Sequence, residues 1–215
     1  MAYDNSARAA RAGKTRVRVL AAARASFLAR GFAGTTIGLV ADEAGVSQET
    51  IYKTLGSKAR LLKAVYDVTL AGDDDDVPLV QRPEALAVLH APSGEEAIAA
   101  YAKLAQTIAA RTDPLVRMIM GSRDTDTSLM SFVNTIHEER RKGSAFWVQH
   151  WRAAGWLRED LDVERAADIL WALNSYEPRW LLADRGWSAD EFVAWFAETL
   201  RHALLRGTHS HTSRR

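Results

Sequence analysis

The stretch TTIGLVADEAGVSQETIYKTLG, from Thr35 to Gly56, reads as two short helices joined by a tight turn. Ile37, Val40 and Ala41 recur at helical spacing, with Thr35 or Thr36 placed to cap them. Gly45 makes the turn, and Ser47 is a good N-cap for a helix to about Leu55 that buries Ile51 and Leu55. Ala41, Val46 and Ile51 supply the small or apolar side chains needed where two crossed helices touch. Gln48, Glu49, Thr50, Tyr52 and Lys53 take the outward places. This is the pattern of a helix-turn-helix whose second member enters a major groove. Gln48 is suited to reading adenine, Thr50 to meeting a thymine methyl, Glu49 to accepting from a cytosine amino group, and Tyr52 and Lys53 to bonding phosphate.

Outward from this stretch the helical pattern continues. Lys14 to Arg30 carries Leu20, Ala23 and Phe27 on one stripe and is stopped by Gly31. Gly56 and Ser57 open a further helix with Leu61, Leu62, Val65 and Val68 inside. Lys58 and Thr36 stand at helix starts, where backbone N–H groups can join them in binding phosphate. Residues 1–60 hold ten basic and four acidic residues, a net of +6. The remaining chain, with 18 basic and 23 acidic residues, sums to −5, so the full sequence carries only +1. A basic head on a nearly neutral chain points to a polyanion partner, with Lys14, Arg16, Arg18, Lys53 and Lys58 forming a basic face without evident structural need.

The chain has 215 residues, 47% of them hydrophobic, enough for two helical cores. It has no cysteine, which excludes disulfides, thiolate nucleophiles and cysteine-ligated zinc. No nucleotide-binding glycine loop, nucleophile elbow or metal-spaced His/Glu pair occurs, so neither an enzyme, a cofactor nor a metal site is expected. No apolar run has the length of a membrane span and no signal peptide is evident, so a cytoplasmic location is expected.

Between Ala71 and Pro83 the pattern breaks at Gly72, Asp73 to Asp76, Pro78 and Pro83, and the four aspartates read as a solvated linker. Beyond it, Ser93 with Glu96 opens a helix through Ala97, Tyr101, Leu104 and Ile108. Helical pattern follows over Leu115 to Met120 and from about Ser128 to Ala154, interrupted at Gly143. Asp162 caps a helix carrying Ala166, Ile169, Leu170 and Leu173, and Ser188 with Glu191 opens the last one. The expected fold is all-α: an N-terminal three-helix helix-turn-helix domain (1–60, with Lys14 to Arg60 as its ordered core), a helical domain (61–206) and a flexible tail (207–215), with about nine helices in all. His209 and His211 fall in that tail.

Gly31-Phe32, Thr35-Thr36-Ile37, Val40-Ala41, Ala44-Gly45-Val46-Ser47, Thr50-Ile51-Tyr52, Gly56-Ser57-Lys58 and Leu61-Leu62 together resemble the DNA-binding signature of TetR-family regulators, without a gap from Val19 to Tyr66. Leu55 stands where that pattern usually has an aromatic. Looser signals at Ala71-Gly72-Asp73, Arg82-Pro83, Leu157-Arg158 and Arg185-Gly186-Trp187-Ser188 are similar to an actinobacterial-type subset of the family. The resemblance implies a repressor that binds a palindromic operator as a homodimer and leaves it when a small molecule binds among the middle helices. Two short recognition helices then read half-sites about 34–36 Å apart. The last two helices, Val163 to Asp184 and Ser188 to Leu205, would pair across the dimer through Ile169, Leu173, Phe192, Trp195, Phe196 and Leu200.

Candidates for the ligand's walls are Tyr101, Met118, Phe132, Trp147, His150, Trp151, Trp171 and Tyr176, with Met120, His137 and Phe146 in the same region. Trp147 and Trp151, one turn apart with His150 beside them, form the favoured face. Aromatic and Met side chains at this spacing are also what an ordinary core contains. The alternative to an operator-binding repressor is a helical regulator that acts through a protein partner without DNA, and the acidic Glu49 is the residue in its favour.

Overall fold

The structure is a computed structural model that describes residues 2–123 and 126–206, with side chains from Arg11 onward. The expected tail, with His209 and His211, lies outside the described residues. Among those residues the fold is all-α, with ten α-helices and one 3-10 turn at Leu79–Gln81, close to the count expected. It divides into two compact units, Met1–Asp76 with Ala110–Thr135, and Val77–Ala109 with Ile136–Arg215. The division expected after Arg60 therefore does not coincide with packing. The crossing at Asp76 falls inside the acidic linker, and residues 110–135 join the first unit.

In the first unit α1 (Ala2–Gly34) starts well before Lys14, and its helical backbone is interrupted at Gly31, the expected stop. The corner that follows is stitched by buried hydroxyls: Thr35 donates to the Gly31 carbonyl at 2.8 Å and lies 3.2 Å from Ser26 Oγ. α2 (Ile37–Ala44) is capped by Thr36, whose Oγ1 accepts from Leu39 N. Gly45 ends α2 at φ 64, a left-handed turn that a side chain would strain, and sends Val46 N back to the Ala41 carbonyl at 3.0 Å. α3 (Gln48–Leu55) and α4 (Lys58–Ala71) are capped by Ser47 and Ser57, as expected. Ala23, Phe27, Val40, Ile51, Leu61 and Leu62 are fully buried, so the stripes read from spacing form one core. Tyr66 of α4 meets Phe132 edge-on at 5.8 Å, which shows why α4 keeps residues 110–135 in its own unit.

The C-terminal end of α4 is held from the same unit. Gly72 there has φ 97, and Arg111 Nη1 donates to the Ala71 carbonyl at 3.2 Å. The left-handed backbone at Gly72 favours glycine, and a Cβ there would also stand 2.6 Å from that guanidinium and push it aside.

The second unit contains α5 (Pro83–Leu89), a helix not foreseen beyond the linker that opens on a proline where a proline fits. Ser93 opens α6 (Gly94–Ser122), accepting from Glu96 N and donating to its carboxylate, both at 3.2 Å. α6 runs on through Pro114, because Leu115, Val116 and Ile119 keep burying one stripe past it. α7 (Thr127–Ala153) likewise passes Gly143 without the expected interruption, with buried Ser144, Trp147 and Val148 carrying it. The single helix expected from Val163 to Asp184 is in fact α8 (Val163–Leu173) and α9 (Tyr176–Ala183). Pro178 explains the break: its ring would strike the Asn174 carbonyl four residues back, whereas the first turn of a new helix accepts it. α10 (Ala189–Leu204) begins at the Ser188–Glu191 capping box, with both reciprocal bonds present.

Candidate nucleic-acid interface

α3 is eight residues long and fixed at both ends, by the Ser47 cap and by Gly56, whose N–H returns to the Ile51 and Tyr52 carbonyls. Ile51 and Leu55 pin one side into the core, which leaves Gln48, Glu49, Tyr52 and Lys53 exposed on the others. Tyr52 keeps 55% of its surface exposed, a high value for an aromatic in a small helical head. Thr50 is half-buried, with its hydroxyl 2.8 Å from Ser47 Oγ, so it first serves the cap. Thr36 is exposed and serves the α2 cap in the same way.

Two members of the basic face do have structural partners, which corrects the expectation that it lacked structural need. Lys58 is half-buried, donates from Nζ to the Phe32 carbonyl at 2.9 Å and lies 4.1 Å above the Phe32 ring. Arg16 pairs with Asp74 at 3.0 Å. Their acceptors lie 26 and 58 positions away in the chain, so no local spacing could have revealed them. Lys14, Arg18 and Lys53 are exposed.

Sequence reasoning also missed Gly38 and Leu39. An added Cβ at Gly38 would meet Gln48 Nε2 at 3.3 Å, so the Gln48 amide lies against α2 where that residue has no side chain. Leu39 is 37% exposed on the same short helix, and its signal was an apolar residue outside the α2 stripe.

The candidate ligand residues do not assemble as one set. Met118 and Phe132 belong to the first unit, and Phe132 packs on Tyr66. In the second unit Tyr101 gathers Trp147 at 5.9 Å and Trp151 at 5.5 Å, both edge-on. Asn174 donates to its hydroxyl at 3.0 Å. Burial pushes the Tyr101 phenol well above its ordinary range, against smaller opposite effects of Arg140 and Asn174. His150 turns to Trp156 instead, at 6.1 Å, and so does not extend the Trp147–Trp151 face. Trp171 meets His137 at 6.0 Å, and Tyr176 lies beneath Arg140 and beside Trp180. Of the expected dimer contacts, Phe192, Phe196 and Leu200 are 3%, 0% and 0% exposed within this single chain and cannot face a partner. Their stripe is the intrachain core, a reading that helical periodicity alone does not separate from an interface. Ile169, Leu173 and Trp195 are half-buried and Trp187 is exposed.

A short capped helix, one side in a trihelical core and the other carrying Gln48, Tyr52 and Lys53, defines a helix-turn-helix regulator of transcription. Residues 19–65 match the family model described as bacterial regulatory proteins, tetR family. An HTH-type transcriptional regulator of Bacillus subtilis (strain 168), YdeS, is 26% identical over 154 residues, 71% of this chain and 72% of its own. Among solved structures, native NalD, the secondary repressor of the MexAB-OprM multidrug efflux pump in Pseudomonas aeruginosa, has a TM-score of 0.65 at 18% identity, covering 91% of this chain and 98% of its own. A transcriptional regulator from Saccharomonospora viridis in complex with choline has a TM-score of 0.64 at 18% identity, covering 90% and 99%. These two likenesses show the fold. No described helix is long and apolar enough to cross a membrane.

Proposed function

We propose that the chain is a cytoplasmic repressor that binds a palindromic operator as a homodimer and is released when the second unit takes a small molecule. Residues 1–60 would read DNA, and the second unit would dimerise and receive the ligand. The carrying observation is the outward set Gln48, Tyr52 and Lys53 on a helix whose other side is fixed by Ile51 and Leu55. One eight-residue helix makes few base contacts, and pairing two of them on half-sites supplies the remaining affinity. With Phe192, Phe196 and Leu200 inside, pairing falls to the partly exposed Ile169, Leu173, Trp195 and Trp187 on and beside α8 and α10. The Tyr101-centred aromatic group supports a small-molecule site, and the repressor and choline-bound relatives agree with both roles.

Selection of bound fragments from genomic DNA, followed by fluorescence anisotropy on the selected site, tests this. Tyr52→Ala weakens binding to every sequence alike, whereas Gln48→Ala relaxes preference at one base pair by about 1–3 kcal/mol. If both variants hold the selected site as the parent does, the head works through something other than DNA.

A further inference from the structure

We infer that the second unit recognises an organic anion, a carboxylate carried on a flat apolar body, through Arg140. The inference rests on the small-molecule reading above and gives that site its ligand chemistry. Arg140 is half-buried on α7, and its Nη2 donates to the Trp171 carbonyl at 3.2 Å and the Asn174 carbonyl at 2.6 Å, where α8 ends. Its Cζ lies 5.5 Å from the centre of the Tyr176 ring. Carbonyls at a helix C-terminus carry roughly half a negative charge, so they balance only part of a guanidinium. Arg140 bonds no carboxylate among the described residues, and its Nε and Nη1 make no bond to any of them. Capping α8 thus accounts for one of three guanidinium nitrogens.

The neighbouring polar groups are donors as well. Tyr101 is 4% exposed and its hydroxyl oxygen accepts from Asn174, which leaves its own proton to be given elsewhere. Trp171, one turn before Asn174 and itself bonded to Arg140 through its carbonyl, has an indole N–H with no acceptor among the described residues. Unpaired buried donors are unfavourable, and a ligand rich in acceptors relieves several together. A carboxylate oxygen accepts a short, charge-assisted bond from a guanidinium N–H, which the free Nη1 of Arg140 can supply while Nη2 keeps its two carbonyls. The rings of Tyr101, Trp147, Trp151 and Tyr176 suit a planar apolar remainder.

Isothermal titration of the full-length protein with 1-naphthoate and its uncharged counterpart 1-naphthamide tests the assignment. The acid should bind about tenfold more tightly than the amide, and Arg140→Gln should remove that preference. Because Arg140 also caps α8, Tyr101→Phe serves as the second variant, since it keeps the ring and deletes the hydroxyl. It should weaken the acid about threefold and leave the amide unchanged. Equal affinity for the two probes, or a preference that survives both variants, overturns the anion assignment and leaves the small-molecule reading standing. If neither probe binds, the assignment also falls. If a varied panel of neutral compounds then also leaves the melting temperature unmoved, the small-molecule reading falls with it.

Discussion

The DNA-reading head and the second unit are both made of α-helices, but they are specified at different ranges. In the head, α2, α3 and α4 each start on a side-chain cap one residue ahead, Thr36, Ser47 and Ser57, and each ends on a glycine. In the second unit the decisive contacts join residues far apart, as when Asn174 bonds Tyr101 across 73 positions. Arg140 closes α8 across 31 and 34 positions in the same way. The head is therefore specified mainly by local chemistry and the second unit mainly by packing.

The sharpest way to break this contrast is to remove a ring from the second unit. Trp151 is fully buried and meets Tyr101 edge-on, so Trp151→Ala should cost about 3–5 kcal/mol in urea unfolding followed by circular dichroism. A loss below about 1 kcal/mol would mean that the aromatic group is not what holds the unit together.

The same contrast explains what was legible in the sequence. The caps at Thr36, Ser47, Ser57, Ser93, Asp162 and Ser188 all stand where local spacing placed them, because a cap needs only its own next three residues. The outward side of α3 was legible for the same reason, since a helix with one buried stripe must turn the rest away. The division after Arg60 did not match, because α4 continues the head's core through Tyr66 to Phe132. The break at Asn174 does have a local signal, Pro178 four residues on. Phe192, Phe196 and Leu200 could not have been placed by any local rule, because an apolar stripe looks the same whether it meets its own chain or a second copy.

Lys58 and Lys53 offer a finer cut within the head. Lys58 is tied to the Phe32 carbonyl and ring, while Lys53 stands exposed in the last turn of α3. Lys58→Met should therefore lower stability by about 1–2 kcal/mol, through a lost charged hydrogen bond and a lost cation–π contact. Lys53→Gln should leave melting unchanged and reduce the slope of log binding constant against log salt by about 1. If instead Lys58→Met shifts the salt slope at unchanged stability, Lys58 releases Phe32 to bind phosphate, and the local reading of it as a phosphate ligand is restored.

The smallest effect compares two caps of the same kind. Ser47 and Ser188 both accept from the backbone N–H three residues on, but the third residue is Thr50 in the head and Glu191 before α10. The Glu191 carboxylate accepts from Ser188 N and Ser188 Oγ, both at 2.8 Å, and these bonds hold it below the usual carboxylate range. A carboxylate with a depressed folded-state pKa contributes stability that is present above its unfolded value, about 4.3, and is lost as pH falls through the folded one. Glu191→Gln keeps an acceptor in place but no charge, so the melting-temperature gap between parent and variant should narrow from pH 6 to pH 3. The gap for Ser47→Ala, whose box holds no titrating group, should stay constant over the same interval. A Glu191→Gln gap that widens toward acid would show that the carboxylate is not bound in its charged form, and the two caps would then be equivalent.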